Sequence, residues 1–557
     1  MSRGFTSNVI LLGALVVQGA GCDQADKMFC GTASCEYTAD EWDAITALAN
    51  LPPEPPVDRS NKYYHDAGAE KLGQKFFFDS RFSGLSLQTD TIRRPVTYGR
   101  APKGQPINVS CASCHNMSHA AIDTESVPGN LSVGAAWTPA NSPTLFNVSY
   151  YGIMFWSGHG DSLWAQSVGS NEGQSSNGNR MATAWTIQDL PAYLAEYNEV
   201  FKDTPLPLSG TSAAVKMLLD TTDPKRVGQC KLSPGCPEGC RAVQDEMDTS
   251  AVGCFPRFPL NGKPGSKPGC QPGDAKEPFG DAFDCMAKDD RDAMTQMLVN
   301  WAKAIAAYEY RLVSRDSAFD RYVATIRAGV GGEQASAMTH FSSGASRGAR
   351  LFVGKAACVE CHNTPLFSDS KFHNVGTPQV GPGVITEADC PAGGVCDCVG
   401  TPDRGPTNCI PWGGRDGLAK LKKNAYRRDG VWSDDRTDNS RQFYYDIPVE
   451  PPAPGTPRMA GIELDADGAV RKGSYKTPGL RDVALTAPYM HNGVLTTLEQ
   501  VVAHYNQGGS GSTVGSRSAQ MKPLFLSPSE QADLVEFLKT LNGAQLPATL
   551  LTAPALP

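Results

Sequence analysis

Residues 108–120 read NVSCASCHNMSHA, and residues 355–363 read KAACVECHN. Each holds a Cys-x-x-Cys-His unit, Cys111-Cys114-His115 in one and Cys358-Cys361-His362 in the other. Two thiols at this spacing can add to the two vinyl groups of one haem, and the adjoining histidine offers an imidazole to the iron. One such pentapeptide can be an accident, or half of a zinc or redox site. Two of them, one in each half of an exported chain, predict two covalently bound haem c groups. The functional question then moves to the far face of each iron, which is either closed by a second side chain or open for chemistry.

The first residues point to export. Met1-Ser-Arg3 precedes the apolar run Val9–Val17, which is too short to span a bilayer, and Gly19-Ala-Gly21-Cys22 follows. Small residues before a cysteine resemble the lipobox of bacterial lipoproteins, with Cys22 as the acylated residue and Gly19 in place of the usual leucine. The mature protein is expected in the periplasm or cell envelope, either lipid-anchored through Cys22 or simply secreted. The net charge of −8 and the lack of long like-charge runs leave no footprint for nucleic acid.

Seventeen cysteines suit an oxidising compartment. Apart from Cys22 and the four of the two haem units, twelve remain: Cys30, Cys35, Cys230, Cys236, Cys240, Cys254, Cys270, Cys285, Cys390, Cys396, Cys398 and Cys409. Most lie in Pro- and Gly-rich stretches without a core of their own, as disulfides that staple loops do. Structural zinc is the rival reading, but no histidine lies within 230–285 or 390–409.

Helical periodicity dominates. Thr38-Ala-Asp-Glu41 is a capping box ahead of Trp42, Ile45 and Leu48, and Leu51-Pro-Pro-Glu-Pro-Pro56 follows as a stiff linker. Met294, Met297, Leu298, Trp301, Ile305 and Tyr308 recur at helical spacing, and Ser527-Pro-Ser-Glu530 opens a helix that stops at Asn542-Gly543. The expected class is mainly α, with two haem-bearing regions at 60–332 and 333–545. An export signal occupies 1–22, a helix and linker 23–59, and a tail 546–557. The stretches at about 205–288 and 376–458 read as cross-linked surface insertions.

Several further stretches, together with both Cys-x-x-Cys-His units, resemble the bacterial dihaem cytochrome c peroxidases and the related MauG-like proteins. They are KLGQKFFFDSRFSG (71–84), NSPTLFN (141–147), FWSGHGDSLWAQ (155–166), AIAAYEYRLVSRDSAFDRY (304–322), GARLFVGKAACVECH (348–362) and YKTPGLRDVALTAPYMHNGVLTTLEQVVAHYNQGG (475–509). The resemblance implies two cytochrome-c-like domains with one haem each: the first reacts with peroxide, and the second relays or stores electrons. It places Trp156 between the haems as a relay, against the plainer reading of a core aromatic. It also implies one calcium ion held by Asn141 and the backbone carbonyls of Thr486 and Pro488, oxygen donors of the kind a hard cation takes.

The far-side ligand of the second iron maps to Tyr505, where the peroxidase branch carries methionine and the MauG-like branch tyrosine. Periodicity agrees: Leu498, Val501, Val502 and Tyr505 share a helical face after Thr497-Leu-Glu-Gln500, with His504 turned about 100° away as either the competing ligand or a surface histidine. For the first iron, alignment on Trp137 and Asn141-Ser-Pro143 puts Ala135 where many peroxidases carry a capping histidine. Unless His119 or another residue substitutes, that iron is five-coordinate.

The acid–base group matches less well. Gln166 fits a pocket glutamine, but the family's catalytic glutamate falls on Ser176. Glu172, in a Gly/Ser/Asn-rich stretch, is either a substitute reaching in from a flexible loop or a solvated carboxylate. His159 replaces an arginine common after FWDG and is either a distal acid–base group or a structural histidine. These residues imply an oxidoreductase that uses hydrogen peroxide. Its electrons come from a small cytochrome or copper protein, or from side chains of a protein substrate; homodimers occur in the peroxidase branch. The alternatives are a non-enzymatic dihaem carrier or redox sensor, and a dihaem oxygenase.

Overall fold

The computed structural model describes residues 37–49, 51–87, 101–124, 132–136, 138, 140–222, 228–244, 251–264, 283–378, 413–453, 455–456, 459–510 and 514–557. The export signal with Cys22, together with Cys30, Cys35, Trp137, Cys270, Cys390, Cys396, Cys398 and Cys409, lies outside them.

Helices dominate the described residues, and the long ones build two hydrophobic cores. The first core takes α2 (Ala67–Phe78), α3 (Leu163–Glu172), α4 (Arg180–Asp189), α5 (Pro191–Val200) and α7 (Lys288–Glu309). Between α5 and α7 lies the short α6 (Ser212–Leu218). The second core takes α1 (Ala39–Leu48), α8 (Ala318–Arg327), α9 (Gly332–Thr339), α10 (Ser343–Val353), α12 (Leu498–Asn506) and α13 (Pro528–Lys539). Close helix crossings hold each core. A Cβ on Gly73 of α2 would fall 1.8 Å from the Ala304 carbonyl oxygen of α7, and one on Gly348 of α10 would fall 2.1 Å from the Asp533 carbonyl oxygen of α13. Each large apolar side chain buried there contributes roughly 1.5–3 kcal/mol.

The helix ends follow their caps. Thr38 and Glu41 close a reciprocal capping box at α1, as Ser527 and Glu530 do at α13. At α12 only half of the expected box forms. Gln500 N–H donates to Thr497 Oγ1, while the Gln500 side chain turns back to Thr496 N–H at 2.7 Å.

Packing revises the expected boundaries. Trp42, Ile45 and Leu48 of α1 enter the second core, where Arg481 donates to the Leu48 carbonyl, so this helix is not a separate N-terminal unit. Helix α8 also packs there through Phe319, Tyr322 and Val323, although the sequence boundary at 332 assigned it to the first region. The C-terminal stretch is no loose tail: Leu546 is buried in the first core and the Leu550 carbonyl accepts the Tyr308 hydroxyl.

The two insertions differ. In the first, β1 (Cys240–Gln244) and β2 (Ala251–Pro256) form an antiparallel hairpin, with disulfides Cys230–Cys240 and Cys236–Cys254, and Cys285 is disulfide-bonded as well. The second was expected at the surface, but its part from 413 to 447 sends several side chains into a core. Leu418 and Leu421 of α11 (Gly414–Lys423), with Tyr444 and Ile447, form a third cluster with Ile153 and Phe372. Polar links tie it to the first core: Arg428 pairs with Asp58 and Asp438, and Lys303 of α7 with Asp434. Apolar area and buried charge pairs both oppose peeling this segment away. A two-residue pairing of β3 (Phe372–His373) with β4 (Tyr475–Lys476) then draws 475–476 toward the first core, where Lys476 N–H donates to the Trp156 carbonyl at 2.8 Å.

Candidate active site

Both attachment units share one local design. Cys111–Cys114 is a single helical turn, and His115 N–H donates back to the Cys111 carbonyl at 2.9 Å; His362 N–H does the same to Cys358 at 3.0 Å. The imidazole Nδ1 of His115 lies 3.0 Å from the Ala121 carbonyl, and that of His362 lies 2.6 Å from the Phe367 carbonyl. Both acceptor residues have left-handed backbone, with φ of 55° at Ala121 and 58° at Phe367. A carbonyl facing Nδ1 makes that nitrogen the donor and leaves Nε2 with its lone pair, the tautomer a metal ligand requires. Burial pushes both imidazoles below the ordinary histidine range, which keeps them neutral.

The same cysteines stand apart chemically. Among the described residues, Cys111, Cys114, Cys358 and Cys361 are the cysteines outside any disulfide. His115 and His362 both reach the wall of one continuous cavity of about 490 Å³, which Cys358 and Cys361 also line. Thiol pairs outside any disulfide, neutral imidazoles with Nε2 available and a cavity that both histidines reach fit covalent haem at both units.

Trp156 lies on the wall of the same cavity. Its indole N–H donates to the Asn141 carbonyl at 2.9 Å, and its ring stands edge-on to His491 at 6.5 Å. His491 in turn stacks on Tyr475 at 3.6 Å. Asn141 ties the segments together: its N–H donates to the His491 carbonyl, its Nδ2 to the Pro488 carbonyl, and its buried Oδ1 has no hydrogen-bond partner. Thr486 and Pro488 are both on the cavity wall nearby.

In the second half, Tyr505 of α12 lines the cavity, and burial together with Cys361 and Cys358 pushes its phenol above the ordinary value. His504 is buried rather than at the surface, with Nδ1 on Ser510 Oγ and Nε2 on the Val375 carbonyl, both at 2.9 Å. Both ring nitrogens are therefore engaged by protein groups.

In the first half, Gln166 of α3 is on the wall, its amide donating to Ser170 Oγ at 2.8 Å. His159 is there too, stacked on Phe155 at 3.7 Å with Nδ1 2.7 Å from Ser157 Oγ. Burial, reinforced by Lys420, pushes its imidazole down to about 3, so the ring is neutral.

Glu172 departs from the expectation. It is the last residue of helix α3, not part of a flexible loop, and it does not belong to the cavity wall. Arg180 takes both carboxylate oxygens at 2.8 and 2.6 Å, and Tyr426 bonds the same guanidinium. Gln174, which sequence reading passed over, is on the wall instead, two residues before the aligned Ser176. Ala135 is fully buried and pairs through its backbone with Leu87 and Ser175. His119 is exposed at the end of a single turn and does not belong to the cavity wall.

A sequence profile of the family described as "Di-haem cytochrome c peroxidase" matches residues 67–221. Cytochrome-c peroxidase IdrP1 of Denitromonas iodatirespirans is 26% identical over 500 residues, which cover 89% of this chain and 86% of that protein. Cytochrome-c peroxidase IdrP2 of the same organism is 34% identical over 253 residues, 45% of this chain and 50% of that one. Methylamine utilization protein MauG of Methylorubrum extorquens is 28% identical over 254 residues, 46% of each. With two Cys-x-x-Cys-His units whose histidines open on a shared cavity, the chain is similar to the bacterial dihaem cytochrome c peroxidases and MauG-like proteins.

Proposed function

We propose that this protein is a dihaem oxidoreductase that reduces hydrogen peroxide at the haem of His115 and draws electrons through the haem of His362. One observation carries the reading: two neutral, carbonyl-anchored imidazoles face one cavity, with Trp156 on the wall they share. Cys111, Cys114 and His115 would hold the first haem, and Cys358, Cys361, His362 and Tyr505 the second. When bound, the haems supply iron that changes oxidation state and so accepts and passes electrons.

The side chains do the rest. Ala135 carries no side-chain group able to bind a metal, so it would not close the first haem to peroxide. The Gln166 amide orients peroxide by hydrogen bonding. The neutral ring of His159, whose Nδ1 is engaged by Ser157, takes a proton through Nε2 and returns it to the departing oxygen. Trp156 offers an aromatic stepping-stone between the two units, held by Asn141. Tyr505 would hold the second haem through its phenol oxygen, a hard donor that would favour ferric over ferrous iron.

Asn141 Oδ1 and the carbonyls of Thr486 and Pro488 form an oxygen donor set suited to calcium, supported by the orphaned Asn141 Oδ1. The electron source is a small redox protein or the side chains of a protein substrate. The protein acts in the periplasm or cell envelope, anchored through Cys22; among the described residues no helix is long and apolar enough to cross a membrane.

Electron paramagnetic resonance of the ferric protein tests this reading. A high-spin signal from one haem and a low-spin signal from the other are expected, both lost on adding stoichiometric peroxide. Two low-spin haems that ignore peroxide would instead identify an electron carrier.

A further inference from the structure

Helix α11 belongs to a stretch that sequence reading set aside as a surface insertion, yet its backbone is docked against the segment that carries Trp156 and His159. A Cβ on Gly417 would fall 1.8 Å from the Ser157 carbonyl oxygen, so only glycine permits this approach. One turn further along, Lys420 reaches the cavity wall.

The electrostatics of that wall are lopsided. Its described lysines are Lys420, Lys476 and Lys522, against one carboxylate, Glu360. Burial lowers the Lys420 ammonium below its ordinary value, while Asp416, a turn earlier on the same helix, partly offsets this and also faces Tyr475. On the same cavity wall, Lys420 reinforces burial in keeping His159 neutral. Lys476 belongs to the other side: it lies 3.7 Å over the Tyr151 ring and feels Asp369. A buried cation is stabilised by any anion that enters beside it. A haem brings two carboxylates on one edge.

We propose that Lys420 is a positioning residue of the first haem compartment, its ammonium set beside a carboxylate of that haem and facing His159. The inserted helix, not the haem-binding frame, then supplies the fixed positive charge on this side of the cavity. That charge steadies the haem edge, favours the reduced iron and holds His159 in the form that accepts a proton. This rests on the dihaem reading above.

Potentiometric titration of the purified protein, followed by absorbance and paramagnetic resonance, tests the role in the wild type, Lys420→Met and Lys420→Arg. Lys420→Met is expected to move the midpoint of the first haem to lower potential and leave the second in place, and Lys420→Arg to keep both near the wild type. Equal shifts at both haems, or none, overturn the proposal. Should Lys420→Met lose the first haem during production, Lys420→Gln is assayed beside it. Loss in both neutral variants with full loading of Lys420→Arg supports a charge role, and loss in all three overturns it. Fewer than two haems per wild-type chain would overturn the dihaem reading itself, whereas two haems with an unmoved first midpoint overturn only the role of Lys420.

Discussion

The indole N–H of Trp156 donates to the carbonyl of Asn141 at 2.9 Å, while the Asn141 side chain holds the Pro488 carbonyl at 3.1 Å. The proposed electron relay and the proposed calcium site thus share a residue. Asn141→Ala is expected to destabilise the fold by about 1–2 kcal/mol, the cost of one buried hydrogen bond. It should also abolish calcium binding, read by metal analysis after dialysis. Chelating calcium from the wild type should slow electron transfer between the haems in stopped-flow absorbance, and an unchanged rate would separate the relay from the ion.

Tyr505 and His504 are neighbours on α12 with different fates. Tyr505→Phe should change the low-spin spectrum of the second haem, and Tyr505→Met should raise its potential. His504→Ala should leave that spectrum alone. Its loss strands Ser510 Oγ and the Val375 carbonyl, so stability should fall by about 2–4 kcal/mol in urea unfolding. A spectral change in His504→Ala with none in Tyr505→Phe would reverse the assignment.

Glu172 pairs with Arg180, whose side chain is only 2% exposed. Glu172→Gln therefore leaves a buried guanidinium short of its counter-charge and should cost about 3–5 kcal/mol, seen as a lower melting temperature. The rate of the folded protein with peroxide should stay within about twofold, since 1.4 kcal/mol in a barrier already means tenfold. Gln166→Leu should do the reverse, slowing the peroxide reaction with little change in melting.

His159 and His491 are both held near a pKa of about 3 by burial, His159 with help from Lys420. In the unfolded chain each binds a proton near pH 6.5, so acid favours the unfolded state. Their contribution to stability is complete above pH 6.5 and falls by about 1.4 kcal/mol per pH unit per histidine between pH 6.5 and about 3. Urea unfolding at pH 7 and pH 5 should show this loss, and His159→Gln should show less of it. A variant with the same slope as the wild type would mean that His159 is not held neutral.

Much of the site is legible in consecutive residues because covalent attachment and helix capping are local. Cys111 to His115 and Cys358 to His362 carry their chemistry in five residues each, and the placement of Tyr505 on the cavity face follows from helical spacing after Thr497. The sequence alone determined the two attachment units, the long helix 288–309 and the mainly helical class. Only the tertiary structure decided the rest. It pairs Glu172 with Arg180, which also donates to Tyr426, engages His504 with Val375, seats α1 in the second core and brings Lys420 to the cavity wall that His159 also lines. Each of these depends on side chains far apart in the chain. A carboxylate in a polar stretch or a lysine in an insertion looks solvated until the fold removes the water around it and leaves a specific neighbour in its place.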